Sequence, residues 1–355
     1  MGYPQVLARS RVSLPDLLRR TLPSSRTACA PGKAGHVSGT MRATCKKIRH
    51  REVGVRLYGV SMVRNEADIV RANVLYHLAA GFDRLLIVDN ASTDGTRRAL
   101  RKLGRDPRVR WTRDRGSFRQ GEVFTDLARE AFAEGADWVA PVDADDFWYA
   151  RGSSVKEVLA DSGASALRVR HVDFIQRRGQ GESSPDGLLT MTRRVPEPVD
   201  RVLAPDLLAA GKVSYIEMAR LHKLVSRASE AMKMVKGAHS LDGVDGPVVT
   251  TEDLILLHAP LRSLAHLQSR AASADRRTGT GKSLGPGWHA RRWQRLRQEG
   301  ALEEEWAANS YGEDGRLDVY GAPHETVFDP TLRDAVAPFL EQPTSSPWGR
   351  LLREG

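Results

Sequence analysis

A chain of 355 residues, 41% hydrophobic and 6% aromatic, can bury an ordinary core and is long enough for two domains or for one large α/β domain with extensions. No apolar run approaches the roughly 18–20 residues that span a bilayer, so we expect a soluble protein that is at most peripheral to a membrane. The formal net charge is +10, but ten Lys/Arg residues against one acid place +9 of it in residues 1–50. The remainder is nearly neutral, which argues against nucleic-acid binding by the core.

Residues 1–52 predict a basic, disordered tail, because they are rich in Arg, Ser and Pro and lack sustained periodicity. A targeting or polyanion-binding arm, or an upstream extension before a start at Met41, are the alternatives. No apolar segment of a secretory signal follows the charges. Both cysteines, Cys29 and Cys45, lie in this tail, so the core cannot hold a disulfide framework or a cysteine-based zinc site. We expect a cytoplasmic protein, with the inner face of the membrane as an alternative location.

From Val55 the pattern alternates between strands and helices. The apolar runs predict strands at 55–63, 84–89, 109–112 and 137–143, and helices at 66–80, 93–103 and 120–134. In the first helix Val70, Val74 and Leu78 share one face, and Gly81 ends it. Ser92 and Thr93 are cap candidates for the second. The third is expected to bury Phe124, Leu127, Ala128, Ala131 and Phe132.

Three strand–helix repeats followed by a fourth strand predict an α/β fold with a doubly wound, mostly parallel sheet. In such sheets ligands bind at the carboxyl ends of the strands. The later pattern predicts strands at 164–174 and 248–257, helices at 261–272 and 288–309, a loop at 176–187 long enough to act as a lid, and a glycine-rich linker at 278–287. The predicted organisation is a tail over 1–52, a catalytic domain over 53–275, and a linker with a helical extension over 276–355.

Three carboxylates follow the fourth strand, in the segment Val142-Asp143-Ala-Asp145-Asp146-Phe-Trp148. Like charges this close raise one another's pKa values, and a divalent cation shared with phosphates removes that cost. Oxygen ligands of this kind suit Mg²⁺ or Mn²⁺. A solvated turn with helix-capping aspartates is the alternative interpretation.

Two more polar clusters follow the first two strands. Val63-Arg64-Asn65-Glu66-Ala-Asp68 can hold a nucleoside through its backbone, with Arg64 placed to meet a phosphate. In Asp89-Asn90-Ala-Ser92-Thr-Asp94-Gly-Thr96, Asp89 can accept a hydrogen bond from a base, while Asn90 and Ser92 can bond a ribose. Helix capping accounts equally well for the segment from Ser92 to Thr96 and for Asn65.

In order and spacing, these three motifs resemble family 2-type glycosyltransferases, in particular the bacterial branch with an Asn-Glu-Ala-Asp opening and an Asp-Ala-Asp-Glu-Phe metal motif. Asp146 stands where that branch has Glu. Two later segments, Gly237-Ala-His239-Ser and Leu257-His258-Ala-Pro-Leu-Arg-Ser263, resemble its histidine motifs, so the resemblance covers roughly residues 55–275.

The resemblance implies a GT-A fold, a nucleoside-diphosphate sugar donor of the UDP or GDP type, a saccharide or other hydroxyl acceptor, Mn²⁺ or Mg²⁺, and inversion. The implied donor site comprises Val63, Arg64, Asn65, Glu66, Asp68, Asp89, Asn90, Ser92, Asp94 and Asp143. Asp143 and Asp145 would hold the metal, with His239 or His258 completing its shell.

The catalytic residues are the open part of the prediction. Asp145 and Asp146 are implied by the motif, and the base is sought among Glu217, Asp253 and Asp173, because an inverting transfer needs a carboxylate near the acceptor hydroxyl. The downstream motifs that name this base in the family are not convincingly present. A non-catalytic nucleotide- or glycan-binding protein on the same scaffold is therefore one alternative. A sugar nucleotidyltransferase is the other, although residues 63–68 lack the glycines of its pyrophosphate loop.

Overall fold

An eight-stranded sheet forms the centre of the computed structural model, which describes residues 54–116, 118–179, 185–235, 238–273 and 288–340. Its strands are β1 (Leu57–Val63), β2 (Arg84–Asn90), β3 (Val109–Asp114), β4 (Trp138–Pro141), β5 (Asp146–Ala150), β6 (Ala166–Asp173), β9 (Lys223–Arg227) and β12 (Val248–His258). Their order across the sheet is β3-β2-β1-β4-β9-β6-β12-β5. The remaining strands are short and lie outside this sheet.

The first half of the sheet is the predicted parallel α/β unit. Strands β1 to β4 are mutually parallel and are linked by α1 (Val70–Ala79), α2 (Thr96–Leu103) and α3 (Gln120–Ala133). Val70, Val74 and Leu78 are buried on one face of α1, and Gly81 follows it with φ +99°, as expected. Two details were wrong. Phe132 is 41% exposed, and α2 begins too late for Ser92 or Thr93 to cap it.

The second half contains two strands that the sequence did not predict. β9 lies between β4 and β6 and is antiparallel to both, while β5 forms the edge and runs antiparallel to β12. β5 escaped prediction because its first residue, Asp146, belongs to the acidic turn. Its aromatic residues Phe147 and Trp148 are fully buried in the core, so they are packing residues and do not line a ligand site.

The region after residue 287 is only partly helical. The single helix predicted over 288–309 is broken into α7 (Trp288–Gln298) and α8 (Leu302–Ala308), because Gly300 adopts φ +74° between them. Trp293 and Trp306 pack there with Leu267 of α6 (Leu264–Ala272). The last helix, α9 (Thr331–Leu340), is tied to α1 by a 2.7 Å hydrogen bond from the Arg71 guanidinium to the Phe339 carbonyl.

Short elements complete the fold: α4 (Val155–Asp161), α5 (Ala204–Ala209), β7 (Gln176–Arg177), β8 (Arg193–Arg194), β10 (Lys233–Val235), β11 (Ser240–Asp242), β13 (Ser310–Tyr311), β14 (Leu317–Val319), β15 (Ala322–His324) and β16 (Val327–Phe328). β13 pairs with β7, and β16 pairs with β8. The C-terminal segment is thus interleaved with the residues that follow β6, and the described part of 53–355 forms one compact unit.

Several expectations concern residues outside the described ranges. They are the tail over 1–52, the linker over 278–287, the middle of the 176–187 loop and Gly237. Within the described residues, no helix is both long and apolar enough to cross a membrane.

Candidate active site

The acidic turn between β4 and β5 is anchored from two sides. The buried amide of Asn73 on α1 donates to the carbonyls of Asp143 and Asp146 at 3.2 and 2.7 Å. The backbone N–H of Ala259, which follows β12, donates to the Asp145 carbonyl at 2.8 Å. Since these bonds hold the turn by its backbone, the three carboxylates have defined directions at the carboxyl edge of the parallel strands, as predicted.

A buried lysine forms ion pairs with two of these carboxylates. Lys223, the first residue of β9, is 1% exposed, and its Nζ donates to Asp143 Oδ2 at 2.5 Å and to Asp146 Oδ2. Gln120 Nε2 donates to the other oxygen of Asp143 at 2.8 Å. Burial still raises the pKa of Asp143, against the lowering effect of Lys223. Asp143, expected to be a metal ligand, therefore has both oxygens bound by side chains of this chain.

His258 stands opposite, at the end of β12. Its Nδ1 donates to Asp173 Oδ1 at 2.8 Å, because a carboxylate can only accept, and Arg220 Nε donates to Asp173 Oδ2 at 2.6 Å. The Nε2 atom lies 3.7 Å from Asp145 Oδ2 and 4.0 Å from Asp146 Oδ1. Burial lowers the pKa of His258, but Asp173 and Asp145 outweigh it and raise that pKa well above the usual value.

Asp145, Asp146 and His258 form a candidate metal-binding group, in which one ligand atom from each lies within 4.8 Å of the others. Asp146 Oδ1 is buried and has no hydrogen-bond partner among the described residues, so it is a carboxylate oxygen in need of a cation. The Asp173–His258 hydrogen bond fixes the orientation of the imidazole, as a carboxylate behind a metal-bound histidine does. The residues therefore fit a divalent cation, with Asp146 taking the place expected for Asp143.

His239, the other histidine considered, is not part of this group. Its Nδ1 lies 2.8 Å from the His222 carbonyl, and burial lowers its pKa to about 4. Its ring centroid is 6.4 Å from that of His171, which itself borders the acidic turn. His239 is thus a neutral neighbour of the site.

Arg262, which the sequence analysis did not single out, joins the first motif to the later histidine segment. It is 3% exposed and pairs with both Glu66 and Asp68, with its Nε 2.5 Å from Asp68 Oδ2. Burial raises the pKa of Glu66 to about 7, despite the charge of Arg262. Glu66 and Asp68 therefore hold an arginine near the acidic turn, where Arg270 also lies 3.5 Å from Asp145 Oδ2.

The loops that follow β1 and β2 are joined by hydrogen bonds. Arg64 donates to the carbonyls of Asn90 and Ala91 at 2.7 and 3.1 Å, and the Asn65 N–H donates to Ser92 Oγ at 3.0 Å. Asp94 accepts from the N–H groups of Ala67 and Thr96. These hydrogen bonds hold the two loops together, and they account for Arg64, Asn65, Ser92 and Asp94 without a bound ligand. Val63, at the end of β1, is 3% exposed and pairs with Asp89 in the sheet.

Asp89 behaves differently from these loop residues. It is fully buried, and its Oδ1 accepts from the Ser92 N–H at 3.0 Å, while its Oδ2 has no hydrogen bond within the described chain and lies 4.0 Å from Arg113 Nε. Asn90 Oδ1 and Asp114 Oδ2 also lack hydrogen-bond partners there. Asn90 pairs with Asp114 across β2 and β3, so these two side chains share a face of the sheet, whereas Asp89, the residue before Asn90 on β2, projects from the opposite face.

Residues 61–159 match the family described as Glycosyl transferase family 2. The matched segment runs from β1 through the acidic turn into α4, so it contains all three motifs on which the resemblance rested. The chain matches none of the curated proteins.

Solved structures with similarity to this chain include S. aureus TarS 1-349, 14% identical, with 62% of this chain and 65% of that chain covered and a TM-score of 0.33. Another is glucosyl-3-phosphoglycerate synthase from Mycobacterium tuberculosis in complex with Mn²⁺, UDP and phosphoglyceric acid, 17% identical, with 62% and 77% covered and a TM-score of 0.32. The chain thus spans less than two thirds of TarS 1-349, and TM-scores this low say nothing further about its reaction.

The three residues considered as the catalytic base, Glu217, Asp253 and Asp173, all lie in the described part of the chain. Glu217 accepts from Ser214 and from His324 Nδ1 at 2.7 Å, which makes it a link to β15. Asp253 is exposed on β12, five residues or about 16 Å of strand from His258. Asp173 has both oxygens bonded. None of the three faces the acidic turn with an available oxygen, whereas Asp145 and Asp146 do lie in it.

Proposed function

We propose that this protein is a glycosyltransferase that moves a sugar from a nucleoside-diphosphate sugar to an acceptor hydroxyl, with a divalent cation bound by Asp145, Asp146 and His258. The observation that carries the proposal is the buried Oδ1 atom of Asp146, in the acidic turn. This oxygen lacks a hydrogen bond in the described structure and lies 4.0 Å from His258 Nε2. An unsatisfied buried carboxylate oxygen costs free energy that a cation recovers.

The charge of the cluster supports a divalent ion. Its carboxylates are Glu66, Asp68, Asp143, Asp145, Asp146 and Asp173, and its permanent cations are Lys223, Arg220, Arg262 and Arg270. With every carboxylate ionised and the imidazoles neutral, as they would be around a bound ion, two negative charges are uncompensated, which is the charge of one divalent ion. When bound, such an ion supplies positive charge opposite the departing diphosphate.

The nucleoside fits the other end of the same edge. Asp89 Oδ2 is a buried acceptor without a hydrogen bond in the described residues, so it can accept from the ring N–H of uracil or guanine, and this match is the reason for proposing a UDP or GDP donor. From β2 to β4 is two strand spacings, about 10 Å, which suits a nucleoside at Asp89 and a diphosphate at the acidic turn. Arg64 and Ser92 would then shape the ribose pocket through the loops they join.

The proposal includes inversion at the anomeric carbon, which the family resemblance implies. Inversion is proposed on the resemblance alone, because Glu217 and Asp173 are engaged, Asp253 is remote, and Asp145 and Asp146 are assigned to the cation. Proton NMR of the first product formed gives the anomeric coupling constant. Retention of the donor configuration would remove inversion from the proposal and leave the transfer itself standing.

A thermal-shift panel of UDP, GDP, ADP and CDP, each with and without Mn²⁺, tests the donor site. A ligand at 100 times its Kd stabilises the folded state by about 2.7 kcal/mol, so a metal-dependent rise in Tm with UDP or GDP is expected. Asp145→Asn should abolish the shift, and Asp253→Asn, a matched change at an exposed carboxylate, should retain it. Folded protein that responds to no nucleotide would favour the non-catalytic alternative.

A further inference from the structure

Arg201 is a half-buried cation without a counter-ion among the described residues. It lies just before α5, and its guanidinium makes no hydrogen bond or ion pair within the part of the chain that the structure describes. The arginines around the acidic turn differ from it, since Arg220, Arg262 and Arg270 each have a carboxylate partner. Burial lowers the pKa of Arg201, and the charge of Arg220 lowers it further. A partly dehydrated cation beside a second cation favours the binding of an anion.

Main-chain pairing brings Arg201 close to Arg220. Val199 and Met218 form a parallel bridge, which is flanked by two main-chain hydrogen bonds of 2.7 and 2.9 Å. Arg201 and Arg220 each follow this bridge by two residues, so the two segments carry them in the same direction. The neighbouring positive charges therefore result from the fold of the backbone.

Arg220 is fixed in place and retains the capacity to donate. Its Nε donates to Asp173 Oδ2 at 2.6 Å, its Nη2 donates to the Tyr215 carbonyl at 3.1 Å, and its Cζ lies 3.8 Å from the centroid of the Tyr215 ring. Its third nitrogen, Nη1, makes no hydrogen bond to a described residue. Both guanidiniums therefore have N–H groups available for a ligand, and Arg201 has all of its own.

The two arginines border the proposed cation site. Asp173 accepts from Arg220 through one oxygen and from His258 through the other, so one carboxylate separates Arg220 from a proposed ligand of the cation. The donor sugar has to lie beside that cation, because the cation neutralises the diphosphate to which the sugar is attached. An acceptor that reaches the sugar from the side of Asp173 lies next to both arginines.

We infer that Arg201 and Arg220 bind a phosphate group of the acceptor, so that the acceptor is a hydroxyl compound that carries a phosphate. The inference rests on the proposed function, which left the acceptor class open. Guanidiniums bind phosphate oxygens through paired N–H···O bonds, and a phosphate has enough oxygens for two guanidiniums, whereas one bidentate arginine fills a carboxylate. The phosphate takes no part in the transfer and serves to hold the acceptor hydroxyl near the donor.

Calorimetric titration of the full chain with glycerol phosphate, and with glycerol as the neutral control, tests the inference. Glycerol phosphate carries both a hydroxyl and a phosphate, so it is expected to bind, and glycerol is not. Arg201→Gln should weaken the binding of glycerol phosphate about 10–100-fold, because it removes charge-assisted hydrogen bonds. If Arg201→Gln does not fold, Arg201→Lys keeps the charge but loses the paired donors, and it should still bind glycerol phosphate less tightly.

Arg227→Gln is the matched control. Arg227 is exposed at the opposite end of β9 from Lys223, with its guanidinium 4.9 Å from the centroid of the Trp138 ring, so this variant loses the same charge away from the site. It should bind glycerol phosphate as tightly as the unsubstituted protein. If the basic residues 1–50 were what binds the phosphate, Arg201→Gln would also retain full affinity, and the inference would be overturned.

Titration of the same variants with UDP and with GDP, in the presence of Mn²⁺, separates the acceptor phosphate from the donor diphosphate. Unchanged nucleotide affinity in Arg201→Gln, together with weakened binding of glycerol phosphate, supports the inference. An equal loss of both ligands would assign Arg201 to the donor and overturn it. Nucleotide binding without any binding of glycerol phosphate also overturns it and leaves the proposed function in place. Binding of glycerol phosphate that depends on Arg201, with no binding of either nucleotide, would instead overturn the donor site and retain the phosphate site.

Discussion

Lys223 should be the most sensitive single position in the acidic site. Lys223→Met retains most of the apolar stem and removes the ammonium group that contacts Asp143 and Asp146. The two carboxylates are then left close together, and Asp146 is only 1% exposed. Removing one partner of a buried ion pair costs about 3–5 kcal/mol, because the remaining charge cannot be hydrated.

At about 2–4 °C per kcal/mol, this loss lowers the Tm by roughly 6–20 °C, measured by calorimetry at neutral pH without added metal. Lys156→Met is the matched control. Lys156 Nζ pairs with Asp83 at 2.7 Å, but the two side chains are 19% and 36% exposed, so its loss costs about 1 kcal/mol or less. Mn²⁺ should restore part of the stability of Lys223→Met and little of that of Lys156→Met.

A double substitution makes the test specific to charge. In Lys223→Met with Asp146→Asn, one of the two uncompensated charges is removed, so the double variant should be more stable than Lys223→Met alone. If instead Lys223→Met and Lys156→Met lower the Tm equally, or if Asp146→Asn adds its own loss to that of Lys223→Met, the buried ion pair is not what holds the turn together.

Three further results are expected. Unfolding in urea should show about 2 kcal/mol less stability at pH 5 than at pH 7.5 from His77 alone. Its pKa is lowered to about 4 by burial, and its neutral ring both contacts the Asn73 carbonyl and accepts from the Trp148 N–H, so this stability is present above pH 6.5 and lost as the pH falls toward 4. His77→Gln should flatten the pH dependence, and an unchanged slope would contradict the assignment. Asp89→Asn should weaken UDP or GDP binding by about 10–100-fold in calorimetric titration, since hydrogen bonds to a charged group contribute about 1.5–3 kcal/mol. Equal affinity would show that Asp89 does not bind the nucleobase. Asp253→Asn should leave both turnover and Tm unchanged. A large loss of turnover would show that Asp253 takes part in catalysis.

Local patterns in the sequence were sufficient for the parallel half of the fold. The spacing of Val70, Val74 and Leu78 predicted the helix, and the short apolar run before Asp89 predicted the inner strand. In both cases the spacing of apolar residues within the element shows which of its faces is buried. The same patterns located the three polar clusters at strand ends. The edge strand β5 was missed because its first residue, Asp146, carries a charge that is satisfied only by distant groups.

The pairing of the site's charges could not be predicted in the same way. Arg262 lies 194 residues beyond Asp68 in the chain, and Lys223 lies 80 residues beyond Asp143. Neither position has a local signal, since an isolated Arg or Lys most often denotes a solvated surface. For Arg262 the only hint was its place in the later histidine segment.

What the sequence by itself determined is the succession of strands and helices along the first half of the chain, the edge of the sheet at which the polar clusters lie, and the resemblance to family 2 that the three motifs carry. Tertiary structure alone decided which oxygens remain available to a cation. Lys223 and Gln120 occupy Asp143, Arg220 occupies Asp173, and Asp146 Oδ1 is left facing His258. The reason is that burial makes every charge depend on its neighbours in space, and strands that are distant along the chain supply those neighbours.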